Sequence, residues 1–395
     1  MLARSGVCRD RPSSGPSQGR EWNGANGSRG PSAPDAAGAP RGDKARSVLV
    51  SAFVRVSALR PSPAVAATLA LFLGLGAGWP ASAATRRASR AAVRAPAAVI
   101  LPASASAWDL AVGQAARNAL GRAQGAVVAM EPHTGRVHAI VNPALGMQRG
   151  FQPCSVFKIV VGIAGLSEGV ITPDTTYRCH KGCWMWAGHG PIDLRRALAV
   201  SCNPYFEWVG EQLGYERIQR YAHLLGLGEP SGINLTGETA GRVPSFVRPD
   251  AVGHLSSHAA GIETSAVQLA VLVSATVNGG SILTPQVSGP ADFVPRERWR
   301  LPGTTRLEGL AAGFAAAVNE GSASAAFDPE VAVAGKTGTC SQLGWFASYA
   351  PADSPELVVI VFLRHGRGHG ASAVAGRIFR ELFGSGSGAT AAGMP

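Results

Sequence analysis

The polarity pattern along the chain changes character near residue 105. Beyond that point apolar residues fall into two kinds of run. Short continuous runs bounded by Gly, Pro or polar residues read as strands buried on both faces. These are Gly125–Met130, Arg136–Val141, Val331–Lys336, Gly344–Tyr349 and Leu357–Leu363. The first two are joined by Glu131-Pro132-His133-Thr134-Gly135, a hairpin connection with Pro and Gly at turn positions. Longer runs predict helices over Trp108–Arg122, Ser155–Glu168, Ile192–Val200, Pro204–Leu213, Tyr215–Leu225, Ser265–Asn278, Arg306–Glu320 and Ala371–Leu382. Gly169 and the pair Gly279-Gly280 are placed to close two of them. Segments 170–190 and 283–304 read as irregular and 226–262 as mostly irregular, and loops as long as the last tend to be functional. Strands at both ends with helices between them predict an α/β fold whose sheet is assembled from distant pieces.

Before residue 105 the chain is Ala-, Arg-, Ser-, Gly- and Pro-rich, and this changes how its charge should be read. Of the net +11, residues 1–95 carry 14 Lys/Arg against 4 Asp/Glu, and the remainder carries 22 against 21. The charge describes a basic arm, and no nucleic-acid partner is expected. Arg46, Arg55 and Arg60 precede the apolar run Ala64–Leu75, and Ala81-Ser82-Ala83 follows it. That order is the pattern of a secretory signal peptide, with an uncleaved anchor as the alternative. The expected organisation is a disordered arm over 1–45, a signal or anchor over 46–83, a linker over 84–107, a folded domain over 108–384 and a tail over 385–395. Export to the periplasm, or to the outer face of the cytoplasmic membrane, follows from either version of the signal. Membrane contact is then confined to the N-terminal segment.

The candidate chemistry starts at Pro153-Cys154-Ser155-Val156-Phe157-Lys158. At a spacing of three, Ser155 and Lys158 share one helix face. A serine becomes a nucleophile only when a neighbouring base takes its proton, and a lysine is such a base only when burial or nearby positive charge lowers its pKa. Downstream, Ser201-Cys202-Asn203 offers a hydroxyl and an amide. Lys336-Thr337-Gly338-Thr339 offers an ammonium, two hydroxyls and a residue without a side chain at the end of a strand. Acyl transfer needs these parts: a nucleophile, a base, a proton relay, an anion anchor and an oxyanion hole. Gly338 is expected to let a substrate backbone lie against the strand.

Ser155-x-x-Lys158, Ser201-x-Asn203 and Lys336-Thr337-Gly338-Thr339, in that order, resemble the three motifs of penicillin-binding proteins and serine β-lactamases. The similarity runs over about residues 120–383 and includes Gly188-His189-Gly190 and Gly344-Trp345-Phe346. Penicillin-binding transpeptidases are the nearest in kind. The resemblance implies an antiparallel sheet covered by helices (α+β) plus an all-helical lobe, with the active site between them. It implies an acylated Ser155, Lys158 as general base, and Ser201 as relay to the leaving nitrogen. Asn203 would hold the substrate amide. Lys336, Thr337 and Thr339 would bind its carboxylate, with Lys336 also tuning Lys158, and Gly338 would complete that strand. The backbone N–H groups of Ser155 and Thr339 would form the oxyanion hole. No cofactor or metal is implied. The implied partners are peptidoglycan stem peptides ending in D-Ala-D-Ala, β-lactam antibiotics and a cell-wall glycosyltransferase. A departure is Ala259-Ala260-Gly261, where the family usually has Gly-x-Gly. The activity implied is that of a D,D-transpeptidase or carboxypeptidase; a class D-like β-lactamase and a non-catalytic β-lactam sensor are the two alternatives. Asn203, in place of the class D valine, speaks against the first. The second lacks its membrane module here.

Five cysteines lie beyond the arm. Cys154 precedes the nucleophile and Cys340 follows Thr339. The resemblance to certain class A β-lactamases implies a disulfide between these two, closing a long loop and contributing ~4–5 kcal/mol in the chain-entropy model. Cys179 and Cys183 are a second candidate pair. The alternative is a zinc site using Cys179, His180 and Cys183, for which the sequence supplies no evident fourth ligand. Cys202 is then free and buried. Trp184, Trp186 and Trp345 read as packing residues.

Overall fold

A computed structural model of the chain describes residues 97–180, 183 and 187–385. The expected arm, signal segment and most of the linker, with Trp184, Trp186 and the end of the tail, lie outside the described residues. Among the described residues no helix is long and apolar enough to cross a membrane.

In chain order the elements begin with β1 (Val99–Ile100), α1 (Ala107–Leu120), β2 (Gly125–Met130), β3 (Val137–Val141) and the single turn α2 (Pro143–Gly146). A 3-10 turn over Cys154–Phe157 leads into α3 (Lys158–Ser167). There follow β4 (Tyr177–Cys179), β5 (Gly190–Ile192), α4 (Leu194–Ala199), α5 (Asn203–Leu213), α6 (Tyr215–Leu224) and α7 (Val252–His258). The remainder is α8 (Ala266–Ala275), β6 (Ser281–Leu283), β7 (Glu297–Arg300), α9 (Glu308–Glu320), β8 (Ala334–Cys340), β9 (Leu343–Ala350), β10 (Leu357–Arg364) and α10 (Gly368–Phe383).

Six strands form one sheet in the order β1-β3-β2-β10-β9-β8, and every adjacent pair is antiparallel. The N-terminal hairpin therefore pairs with β10, more than two hundred residues away, which is how distant apolar runs come to share one sheet. Period-two alternation sorts their side chains onto two faces. Val127, Ala129, Ala139, Val141, Val359 and Val361 pack with α1 and α10. Val128, Met130, Ile140, Val358, Ile360 and Phe362 join the larger core with α3, α5 and α8. Burial on both faces explains why these strands read as continuous apolar runs rather than alternating ones.

Several expectations need correction. Residues 170–190 and 283–304 are not wholly irregular. Each contributes to a short hairpin, β4–β5 and β6–β7, whose Gly-, Pro- and Arg-bearing strands are too short to show a period. The strand expected over Val331–Lys336 runs instead over Ala334–Cys340, so the Lys-Thr-Gly-Thr motif lies inside it. The linker also ends earlier than expected, because Val99 and Ile100 pair with Val141 and Ile140.

The end of α1 facing the sheet is fixed by a buried charge network. Ser106 and Asp109 form a capping box, satisfying otherwise orphaned N–H groups. The same Asp109 accepts from Arg136 at 2.5 Å and lies 2.7 Å from His138 Nδ1. Burial raises the Asp109 pKa, but hydrogen bonds from His138, Ser106 and Arg136 outweigh it and bring it down to about 2.

Candidate active site

The site forms where the helical lobe meets the edge strand β8. Residues 154–157 make a 3-10 turn and α3 begins at Lys158. Side chains three apart eclipse in a 3-10 turn, which stacks Ser155 and Lys158 more directly than an α-helix would. Pro153 leads into the turn, and Cys154 takes φ +54, a left-handed conformation costly for a residue with a side chain. It is held there by a disulfide to Cys340, with Cα atoms 5.7 Å apart, inside the span such a bond allows.

Alternation along β8 orients the third motif. Lys336, Gly338 and Cys340 share one face: Lys336 Nζ reaches Ser201 Oγ at 2.9 Å, and Cys340 joins Cys154. A Cβ on Gly338 would lie 2.6 Å from the Pro153 carbonyl oxygen. Close packing against the nucleophile turn thus already requires a glycine here, a constraint the sequence did not show. The hydroxyls of Thr337 and Thr339 lie on the other face. Thr337 Oγ1 is 2.7 Å from Ser322 Oγ, and Thr339 Oγ1 accepts from the Gly368 N–H at 2.8 Å. Thr337 is buried and Thr339 exposed.

Ser201 ends the turn after α4 with φ +55, and Asn203 opens α5. Non-glycine residues in this conformation gather at functional sites. Lys158 Nζ donates to the Ser201 carbonyl at 2.8 Å, to Ser201 Oγ at 3.2 Å and to Asn203 Oδ1 at 2.6 Å. It also lies 5.5 Å from the centre of the Phe206 ring. Among the described residues no hydrogen bond joins it to Ser155. Such contacts are often loose before substrate arrives. Ser201 Oγ accepts from both lysines, which leaves its own proton free to be donated.

Both lysines are fully buried, at 0% exposure, and this decides their chemistry. Burial lowers the Lys158 pKa from 10.5 to about 7, against Cys202, Cys183 and Glu207, which pull it upward. The sequence reading assigned part of this lowering to Lys336, but burial is its cause. The charge effect runs the other way, since Lys336 is itself pushed down by burial and by Lys158.

Behind Ser201 sits a cluster the sequence did not assemble. Cys179 and Cys183 are not bonded to each other, and Cys202 is a free thiol as expected. The three sulfurs and a ring nitrogen of His189 lie within 4.8 Å of one another, with Cys179 Sγ 3.6 Å from His189 Nδ1. Two of the four, His189 just before β5 and Cys202 of the second motif, are ones that spacing alone did not supply, and His180 is not among them. Three thiols and an imidazole are a set able to hold Zn²⁺ tetrahedrally.

Sequence reasoning also missed residues that support the site. Gln152 bonds the His258 carbonyl through Nε2 at 2.7 Å, and its own carbonyl accepts from Trp345 Nε1 at 2.9 Å. Trp345 is thus a packing residue that also steadies the loop before Ser155. His258 lies 3.2 Å from Asn203 Nδ2 through Nε2, and its Nδ1 is 4.0 Å from Glu207. Only the tertiary fold brings these groups to the three motifs.

The geometry agrees with comparisons to known proteins. Residues 125–384 match the family model of the penicillin binding protein transpeptidase domain. Stage V sporulation protein D of Bacillus subtilis is 28% identical over 262 residues, covering 58% of this chain and 41% of that protein. The peptidoglycan D,D-transpeptidase MrdA of Haemophilus influenzae is 28% identical over 280 residues, covering 57% and 43%. The chain therefore spans about two fifths of the length of these relatives. Among solved structures, Pseudomonas aeruginosa PBP2 in complex with WCK 5153 is similar in fold, with TM-score 0.62 and 21% identity over 69% of this chain and 77% of that one. A structure of a peptidoglycan synthase complex gives TM-score 0.63 at 26% identity, over 70% and 62%. With its three motifs gathered at one sheet edge and two thirds of its length matched by the family model, the chain belongs to the penicillin-binding protein transpeptidase family.

Proposed function

We propose that the chain is an exported peptidoglycan D,D-transpeptidase that works through an acyl-enzyme on Ser155. The observation that carries this reading is the convergence of Lys158 and Lys336 on Ser201, with Asn203 holding Lys158, beside the turn that bears Ser155. Ser155 Oγ attacks the carbonyl carbon of the penultimate D-Ala while its proton passes to neutral Lys158. Ser201 donates a proton to the leaving nitrogen and is reprotonated from the lysines. The terminal D-Ala departs, an ester remains on Ser155, and an acceptor amine resolves it into a new peptide bond. The N–H groups of Ser155 and Thr339 receive the oxyanion.

In this reading Asn203 holds the substrate amide. Lys336 and Thr339 meet the carboxylate, and Thr337, paired with Ser322, supports them. The Cys154–Cys340 disulfide ties the oxyanion strand to the nucleophile turn. The relatives are named as a peptidoglycan D,D-transpeptidase and a stage V sporulation protein, and the first name supports stem peptides as substrates. A synthase complex among the similar structures supports a glycosyltransferase as partner. β-Lactams enter as substrate mimics whose acyl-enzyme resists water.

Purified full-length chain incubated with a labelled penicillin and a chromogenic cephalosporin tests the reading. The expected result is a stable covalent adduct with no cephalosporin turnover. Rapid turnover would instead identify a β-lactamase, and Ser155→Ala retaining the label would overturn the site assignment.

A further inference from the structure

Asn203 stands between two groups that decide which way its amide faces. Its Oδ1 accepts from Lys158 Nζ at 2.6 Å, and its Nδ2 lies 3.2 Å from His258 Nε2. The two ends of an amide have nearly the same shape, so hydrogen-bond partners alone fix the orientation. On the far side of the imidazole, His258 Nδ1 is 2.6 Å from Ser257 Oγ, which donates to Glu207 Oε1 at 2.8 Å. Ser257 Oγ also lies 3.2 Å from the His254 carbonyl; this oxygen and the closer Glu207 carboxylate only accept, so with the Ser257 proton given to them the ring proton sits on Nδ1. Nε2 is left with its lone pair facing the Asn203 NH₂ group. Each link from Glu207 through Ser257, His258 and Asn203 to Lys158 then has one donor and one acceptor. The backbone of His258 is fixed as well, through the bond to Gln152 just before the nucleophile turn.

We propose that His258 is a positioning residue for acylation: as a neutral ring carrying its proton on Nδ1, it holds the Asn203 amide with Oδ1 toward Lys158 and so keeps the amine in place beside Ser155. The proposal rests on the transpeptidase reading of the site. Protonating Nε2 would set donor against donor. The amide would then turn its NH₂ group toward Lys158 and remove that acceptor. The titratable groups facing His258 are Glu207 from α5, Lys158 beyond Asn203, and His254 one turn earlier on α7, its ring stacked at 4.4 Å. Burial, then the charges of His254 and Lys158, keep His258 below its ordinary 6.5, while Glu207 pulls upward. The ring is therefore neutral where the enzyme is active.

The rate of acylation by labelled penicillin, measured on the full chain from about pH 4.5 to 9, tests this, because two groups must then lose protons on the acid side. In the wild type the logarithm of the rate should fall with slope one below the Lys158 pKa and steepen to slope two below that of His258. His258→Leu should lose about tenfold in rate at alkaline pH, the size of one lost hydrogen bond. His258→Gln keeps an acceptor but takes no proton. It should recover most of that loss and show slope one throughout. Nitrogen NMR of the wild-type ring should report the Nδ1–H tautomer. His258→Leu with wild-type rate and profile, His258→Gln with slope two, or an Nε2–H tautomer would each overturn the proposal. The tautomer is read without acyl transfer. Failure of the wild type to take the label would therefore count against the transpeptidase reading alone.

Discussion

Lys158 can act as a base only without its proton. At an ordinary lysine pKa almost none of it would be neutral at physiological pH. Full burial lowers the value to about 7, because removing water penalises the ammonium. The sign is direct. Acylation needs the neutral amine, so the rate is full above pH 7 and falls as pH drops through it. Between pH 8 and pH 5 the rate of β-lactam acylation should drop by at least about a hundredfold, and a flat profile would exclude Lys158 as the base. Lys158→Arg, which keeps the charge and cannot lose it, should abolish acylation at every pH. The three motifs were legible at this scale because each joins chemically complementary residues at fixed spacing. His258 was not. A histidine at a helix end carries no local signal of its partner, and Asn203 lies 55 residues away.

At the scale of elements, the sequence showed where strands lie better than where they start. Continuous apolar runs such as Leu357–Leu363 announced themselves, whereas β8 was displaced because Lys336-Thr337-Gly338-Thr339 looks polar. Lys336 and Thr337 are nevertheless buried, held by Ser201 and Ser322. Two joints between elements carry specific expectations. The first is Asp109, which caps α1 and binds Arg136 and His138 of the sheet region. Asp109→Asn leaves Arg136 buried without its counter-charge and should cost about 3–5 kcal/mol in denaturant unfolding. Its folded pKa is depressed to about 2 from 3.8, so its contribution is complete above pH 4 and is lost as pH falls toward 2. The mutant should lack that part of the acid dependence. The second joint is Cys154–Cys340, which closes a loop of 186 residues. Cys340→Ser should lower unfolding stability by up to ~4–5 kcal/mol and slow acylation, since Ser155 and Thr339, whose N–H groups are the proposed oxyanion donors, flank this bond. Without reductant, the denatured residues 97–385 should present three reactive thiols, Cys179, Cys183 and Cys202, and five after reduction.

At the scale of the whole molecule, the sheet explains why the site could be inferred without being located in detail. Its strands come from both ends of the domain, and the helical lobe between them brings Ser201 and Asn203 to the edge strand. An edge strand has a free side, along which an extended peptide can lie as one more strand. Order and spacing told which residues belong together. The reasons each is held as it is, such as the close packing at Gly338 and the burial of two lysines, are tertiary facts with no trace in local pattern. The central claim is acyl transfer from D-Ala-D-Ala stem peptides through Ser155. Its most direct test is to incubate the purified full chain with a stem pentapeptide and a labelled D-amino acid acceptor, then follow the label. The account predicts replacement of the terminal D-Ala by the label, blocked by prior penicillin treatment and absent in Ser155→Ala. Exchange that persists in Ser155→Ala, or cephalosporin hydrolysis without any exchange, would contradict it.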